Sequence, residues 1–328
     1  MFLVTMANSS QIIALIKSHI EGDDAQFRLI ATQLAAAEAK SGHAVLSRSI
    51  TSLLKDNEGA TFRFLAPLNS DLAEFVLESS DSFRLSNLIV SDTIKSRIER
   101  ILKEYHQREI LYKNGLHNRS KVLLTGPSGT GKTMTASILA NELQLPLYIV
   151  RLEKVITKYM GESSLKLGSV FELISKVRGV YLFDEFDAIG SQRRNDNEVG
   201  EMRRILNTFL QLLERDDSES LIIAATNNPE VLDVALRRRF DDVIGYELPD
   251  DTQIRKLVIA RINGFMNKDI DTDKALSLLR GRSHAEICLI CADAVKEAIL
   301  SDKPLTQKML EEAITQRPTS LDNAVVNG

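Results

Sequence analysis

The chain has almost no cysteine: Cys288 and Cys291 are the only two in 328 residues. A disulfide framework is thereby excluded, and a reducing, intracellular setting is the expectation. The C-x-x-C spacing puts both thiols on one helix face, and two ligands do not complete a zinc site, so core packing is expected ahead of redox or metal chemistry. Long apolar runs are missing too. No stretch approaches the ~18 uninterrupted apolar residues that a membrane helix needs. The opening six residues are apolar but short, lack a basic start and run into Asn8, Ser9 and Ser10. No signal peptide is expected there, Met6 is a second candidate start, and the cytoplasm is the expected compartment. Nor is there an excess of positive charge. With a formal charge of -4 and five scattered histidines, no global field attracts nucleic acid or an acidic membrane, and a nucleic-acid role would need a local basic patch.

What is present is the balance of a globular chain. Hydrophobic residues make up 44% and charged residues 26%, which argues against a disordered or fibrous protein. At roughly 100 to 200 residues per domain, this length implies two or three domains, each with its own core. Residues 9–56 carry helical periodicity in three stretches, at Ile12, Ile13, Leu15, Ile16 and Ile20, then over 27–39, then over 45–54. Turn signals at Gly22-Asp23-Asp24 and Ser41-Gly42 separate them, so a helical bundle is expected over 1–57. Residues 58–85, of mixed polarity and weak periodicity, read as a linker.

From residue 86 the pattern changes. Short β-rich runs at 122–125, 147–151, 180–184, 221–226 and 243–247 alternate with helical segments, which predicts an α/β subdomain over 86–249 built on a buried parallel sheet. After Pro249-Asp250 the strand signals stop. Residues 253–266, 273–279, 285–300 and 306–316 read as helices, a second lobe over 250–317, and 318–328 reads as a loose tail.

The run Gly126-Pro127-Ser128-Gly129-Thr130-Gly131-Lys132-Thr133 fits G-x-x-x-x-G-K-[ST]. It follows an apolar strand and precedes a helix starting near Met134, which is the context this phosphate-binding motif requires. The glycines let the backbone turn tightly, so that N–H groups and a helix N-terminus face an anion. Lys132 would contact the β and γ phosphates of ATP, and the Thr133 hydroxyl would ligate Mg²⁺, a hard cation that prefers oxygen. The competing reading is a plain glycine-rich turn. The expected fold is therefore a P-loop NTPase parallel sheet flanked by helices, with a helical lid subdomain and an N-terminal helical bundle.

A second element makes the motif a hydrolase site. The apolar run 180–183 ends in Asp184-Glu185, and adjacent carboxylates at the C-terminal end of a buried strand are costly unless used. Asp184 suits the Mg²⁺ shell, through water, and Glu185 suits polarising the attacking water, because phosphoryl transfer depends mostly on positioning and electrostatics. The alternative is an exposed acidic strand end.

Over about residues 86–317 the chain resembles the AAA family of ATPases, in the group that includes katanin, spastin, the ESCRT-disassembling ATPase and the membrane-bound bacterial AAA proteases. The stretch Ala225-Thr226-Asn227-Asn228-Pro229-Glu230 is similar to the family's sensor-1 segment, which implies that Asn227 positions water near the γ phosphate. The run Ala235-Leu236-Arg237-Arg238-Arg239-Phe240-Asp241 is similar to the arginine-finger segment. The resemblance implies that Arg238 and Arg239 reach a neighbouring subunit's nucleotide in a homo-oligomeric, hexameric ring; a solvated basic face is the other reading. Leu88, Ile89 and Val90 lie where the family packs adenine. Ser283-His284-Ala285-Glu286 lies where it has G-A-[DE], with Ala285 matching and His284 departing, and Arg261 stands where many relatives have a histidine.

Lys158-Tyr159-Met160-Gly161-Glu162 resembles the family's first pore loop. That implies Lys158, Tyr159 and Met160 grip a protein substrate in a central channel, where aromatic and apolar side chains contact any polypeptide with little sequence preference. Tyr159 capping a core is the alternative. The polar run 193–198 lies where relatives carry a second pore loop; subunit contacts or solvation are equal readings. Asp187 either pairs with a neighbour's arginine or ends the strand. The N-terminal bundle stands where such ATPases bind a substrate or adaptor. The segments 19–24 and 35–43 look like bacterial single-ring members associated with a subtilisin-like protease, which implies a protease as a possible partner. The expected function is thus ATP hydrolysis in a ring coupled to unfolding, remodelling or translocation of protein. A nucleotide-controlled scaffold that regulates a partner is the first rival, and a nucleic-acid motor, disfavoured by the acidic charge, the second.

Overall fold

The computed structural model of the chain describes residues 13–14, 17–18, 24–40, 74–79, 83–156, 162–189, 196–228, 230, 237–265 and 270–317. The chain divides into two units, Met1–Asn69 and Ser70–Gly328. In the first unit, helix α1 (Asp24–Lys40) spans the second predicted helix and buries Ala31 and Ala35. Only 13–14 and 17–18 of the first predicted helix are described, as helix, and the third, 45–54, lies outside the described residues.

Among the described residues, the second unit is built on six strands: β1 (Val76–Ser79), β2 (Lys121–Thr125), β3 (Leu147–Val150), β4 (Val180–Phe183), β5 (Leu221–Thr226) and β6 (Asp242–Gly245). They run in the order β1-β3-β4-β5-β2-β6. Every pairing is parallel except β1 with β3, which is antiparallel with Val76 opposite Val150. The α/β sheet expected from the alternating pattern is present, with β1 added at its edge inside the span read as a linker. Four residues that bury Val76 while Leu77 faces out are too short a run to carry a periodic signal. The last strand also begins earlier than expected. Asp242 opens it, held by Arg97 and Arg119, and a paired carboxylate interrupts the apolar run by which a buried strand is recognised.

Helices cover both faces. Helix α2 (Asp92–His106) starts at Ser91, whose hydroxyl accepts from the Ile94 N–H, and buries Ile94, Ile98, Ile101 and Tyr105 at helical spacing. With α4 (Lys132–Glu142) it packs on one face against Val122, Leu124, Ile223 and Ile244. Between them in sequence lies the short α3 (Arg108–Lys113), and after β3 the single turn α5 (Leu152–Val155). On the other face, α6 (Glu162–Lys176) and α7 (Asp196–Arg215) bring Phe171 and Phe209 against Phe183, with centroids 5.9 and 5.0 Å away.

Among the described residues, four further helices form the second lobe: α8 (Asp251–Ile262), α9 (Thr272–Leu279), α10 (His284–Leu300) and α11 (Gln307–Gln316). Each is capped by a side chain, from Asp250, Asp271, Ser283 and Thr306, which satisfies N–H groups that the helix start leaves orphaned. Their apolar stripes meet in a core of their own around Leu257, Ile262, Leu279, Ile287, Ile290 and Leu310. Cys291 is fully enclosed in it, and burial pushes its thiol up to about 12, which leaves it an inert packing residue. Among the described residues, no helix is long and apolar enough to cross a membrane.

Candidate active site

Strand β2 lies between β5 and β6, at the point where the chain switches direction across the sheet, and open α/β sheets bind ligands beyond the strand ends at such points. The loop 126–131 leaves β2 there. Gly126 has φ +134, and a Cβ on it would stand 2.1 Å from the Tyr246 carbonyl oxygen, so no other residue fits. Gly131, at φ +105, caps α4 and aims that helix's first N–H groups over the loop, a ready anion site.

Lys132 is buried. Its Nζ donates to the Gly126 carbonyl at 2.7 Å, to the Pro127 carbonyl at 2.8 Å and to Asn227 Oδ1 at 2.8 Å. Burial lowers its pKa, and the charges of Asp184 and Asp187 oppose that shift. Next to it, Thr133 Oγ1 donates to Asp184 Oδ2 at 2.6 Å. Asp184 Oδ1 in turn accepts from the Glu185 N–H at 2.9 Å. Glu185 is exposed and holds φ +50, a left-handed conformation that costs a non-glycine residue about 1 kcal/mol or more. The buried rings of Phe183 and Phe186 on either side hold the chain in it.

A residue whose role the sequence left open now has one. Asp187 Oδ1 accepts from Thr226 Oγ1 at 3.1 Å and from the Asn227 N–H at 3.2 Å, tying the end of β4 to the end of β5 and setting where Asn227 points. Tyr246 went unnoticed in the sequence. It lies beneath the loop with its hydroxyl 2.6 Å from Thr135 Oγ1, and burial raises it to about 12. Neither contact has a sequence signal, because the partners are 39 and 111 residues apart.

These groups open on a cavity of about 370 Å³. Ser128, Gly129, Thr130, Gly131, Lys132, Thr133, Met134, Asp184, Glu185 and Asn227 line one part of it, and Asn87, Leu88, Ile89, Leu257, Arg261, His284, Ala285 and Cys288 the rest. Gly126 and Pro127 hold Lys132 and do not themselves line it. Val90 packs instead against the sheet core, since it leads into Ser91 and α2. The Ala285 N–H donates to the Gly129 carbonyl at 3.0 Å, so the helical lobe closes the cavity directly on the loop. Arg238 and Arg239 are not among the lining residues. Arg238 is exposed, and Arg239 forms an ion pair with Glu214 at the end of α7. Lys158, Tyr159, Met160 and residues 193–195 lie outside the described residues.

Sheet order, glycine loop and paired strand-end carboxylates together define a P-loop ATPase. The family model for "ATPase family associated with various cellular activities (AAA)" matches residues 122–248. The chain is 32% identical to the uncharacterized AAA family ATPase y4kL of Sinorhizobium fredii, over 92% of this chain and 93% of that protein. It belongs to the AAA family and is an ATP-hydrolysing enzyme. It is also 35% identical, over 65% of its own length, to the proteasome-activating nucleotidase of Methanopyrus kandleri, of which it spans half. The crystal structure of the FIGL-1 AAA domain superposes with a TM-score of 0.62, covering 81% of this chain and 95% of that one at 21% identity, a likeness of fold.

Proposed function

We propose that the chain works as a homo-oligomeric ring, a hexamer, in which ATP hydrolysis unfolds, remodels or translocates a protein substrate through a central pore. The observation that carries this reading is the separation within one subunit. Lys132, Thr133, Asp184, Glu185 and Asn227 converge on the cavity, while Arg238 and Arg239, which resemble fingers, do not line it, and this supports the reading that they serve a neighbouring subunit's nucleotide.

Within the site, Lys132 contacts the β and γ phosphates, and the N–H groups of the loop and α4 surround them. The Thr133 hydroxyl and the Asp184 carboxylate, hard oxygen donors 2.6 Å apart, suit Mg²⁺, Asp184 through a water. Held there, Mg²⁺ would supply positive charge that offsets the negative charge of the phosphates. Glu185 takes the proton of the water that attacks the γ phosphorus as the bond to ADP breaks, and Asn227 orients that water. Leu88, Ile89 and Ala285 pack the adenine.

Relatives named proteasome-activating nucleotidases support a protein as the substrate. Tyr159 and Met160, with Lys158, are the residues proposed to grip it. The N-terminal unit would recruit substrate, an adaptor or a protease of subtilisin type.

The test is steady-state ATPase activity per subunit against protein concentration, for the wild type, Glu185→Gln, Arg239→Ala and Glu214→Ala. Activity that rises with concentration, vanishes in the first two variants and survives in Glu214→Ala supports a shared site. Concentration-independent activity that survives Arg239→Ala refutes the ring. Stimulation by an unfolded protein that is lost in Tyr159→Ala supports threading, and stimulation by single-stranded DNA alone refutes it.

A further inference from the structure

We infer that Asn227 holds the donor of Lys132 that a phosphate needs, so that nucleotide binding breaks their hydrogen bond and by the same step frees Asn227 for its part in hydrolysis. The inference rests on the cavity being the ATP site.

Lys132 is only 6% exposed, and a charge taken that far from water has to be hydrogen-bonded inside the protein. An ammonium carries three donors and no acceptor. All three are engaged, by the Gly126 carbonyl at 2.7 Å, the Pro127 carbonyl at 2.8 Å and Asn227 Oδ1 at 2.8 Å. Because lysine only donates, the oxygen end of the Asn227 amide is the end that faces it. No donor of Lys132 is left over for a phosphate oxygen. Contact with the β phosphate therefore replaces one of the three bonds.

The three are not equivalent. Gly126 and Pro127 lie six and five residues before Lys132 in a loop whose backbone is fixed: the Gly126 N–H donates to the Thr226 carbonyl at 3.2 Å, and the Pro127 carbonyl also accepts from Thr130 Oγ1 at 2.8 Å. Asn227 follows a different strand, 95 residues away, is exposed, and reaches Lys132 through a rotatable side chain. It is the partner that can leave without moving the loop. It also lines the cavity together with Lys132 and Thr133, where the proposed function puts the phosphates. The exchange favours the nucleotide, since an anionic oxygen takes the place of a neutral amide oxygen, and hydrogen bonds between two ionised groups are the stronger kind. The main chain of Asn227 stays held by Asp187 Oδ1 at 3.2 Å, so the released amide remains beside the phosphates. The group that orients water thus becomes available when phosphate is on the lysine.

The experiment measures equilibrium binding of ADP with Mg²⁺ and steady-state ATPase turnover of the full chain, for the wild type, Asn227→Ala and Asn227→Ser, whose hydroxyl is too short to reach Lys132. The two readouts should move in opposite directions. Turnover is expected to fall by about tenfold or more, while ADP binds about five- to tenfold more tightly, the worth of one competing hydrogen bond. Asn227→Ser should follow Asn227→Ala in both. An asparagine that only orients the attacking water leaves ADP affinity at the wild-type value, because ADP has no γ phosphate to be attacked, and one that only supports the loop weakens it; either result overturns the inference. Asn227 is exposed, so neither substitution removes core packing, and circular dichroism checks that both variants are folded. If the wild type binds no ADP, the ATP site itself is wrong, a failure distinct from unchanged or weakened binding in the variants.

Discussion

The main-chain N–H of Ala285 donates to the carbonyl of Gly129 across 3.0 Å. The first turn of α10 is thus fastened to the glycine loop by backbone alone, and a Cβ on Gly129 would fall 2.7 Å from Ser283 Oγ and 3.0 Å from the Ala285 Cβ. Closure of the helical lobe and the shape of the loop are one geometric condition.

Gly129→Ala should therefore damage nucleotide binding. Its φ of +72 costs an alanine about 1–2 kcal/mol, and the new methyl pushes α10 away. ADP affinity is expected to fall by about tenfold or more. Gly281→Ala is the control: its φ is +80, but nothing lies within 4 Å of the added carbon. It should lose a comparable amount of stability and bind ADP as the wild type does, as calorimetry would show.

Asp187 acts through Asn227. Removing the carboxylate in Asp187→Ala frees both the Thr226 hydroxyl and the Asn227 N–H, and misplacement of a positioning group by about 1 Å costs up to about a hundredfold in rate. The expected outcome is a kcat lowered by between about tenfold and a hundredfold, with ADP affinity nearly unchanged. Asp187→Asn, which keeps an acceptor oxygen, should recover part of the rate.

Phe209 is fully buried and stands 4.7 Å from the Phe186 ring and 5.0 Å from the Phe183 ring, centroid to centroid. Phe209→Ala is expected to cost ~3–5 kcal/mol of stability, read from urea unfolding followed by circular dichroism. Because Phe183 and Phe186 flank Asp184 and Glu185, turnover should fall even at temperatures where the variant stays folded.

The half-buried His284 predicts a sign for the pH dependence of stability. Its folded-state pKa lies below the ordinary value of 6.5, chiefly through desolvation, so the unfolded chain takes up the proton more readily. Wild-type stability should be unaffected by this group above about pH 6.5 and should fall as the pH drops through that value. His284→Phe lacks this contribution. The Tm of the variant relative to wild type should rise between about pH 7.5 and pH 5.5, measured by thermal denaturation across that range.

Much of the molecule was legible before any coordinates. Loop 126–133 is contiguous, and its glycines are demanded by the backbone itself, as the contact between Gly126 and Tyr246 makes plain. Strands β2, β4 and β5 are short apolar runs buried along their length, and α9, α10 and α11 start within one residue of where their periodicity begins. The misses share a cause. Strand β1 has one well-buried side chain, β6 opens on an ion-paired aspartate, and Val90 faces the sheet core although its neighbour Ile89 lines the cavity.

The residue types that meet phosphate and metal, and the alternation that makes an α/β sheet, are properties of neighbours along the chain, and local sterics and hydrophobic periodicity suffice to read them. Asp187 holding Asn227, Tyr246 under the loop, Arg239 on Glu214 and Ala285 on Gly129 join residues 25 to 156 positions apart. Such pairs form only when the sheet order brings the strand ends together and the second lobe folds over them, and no local preference encodes a partner that distant.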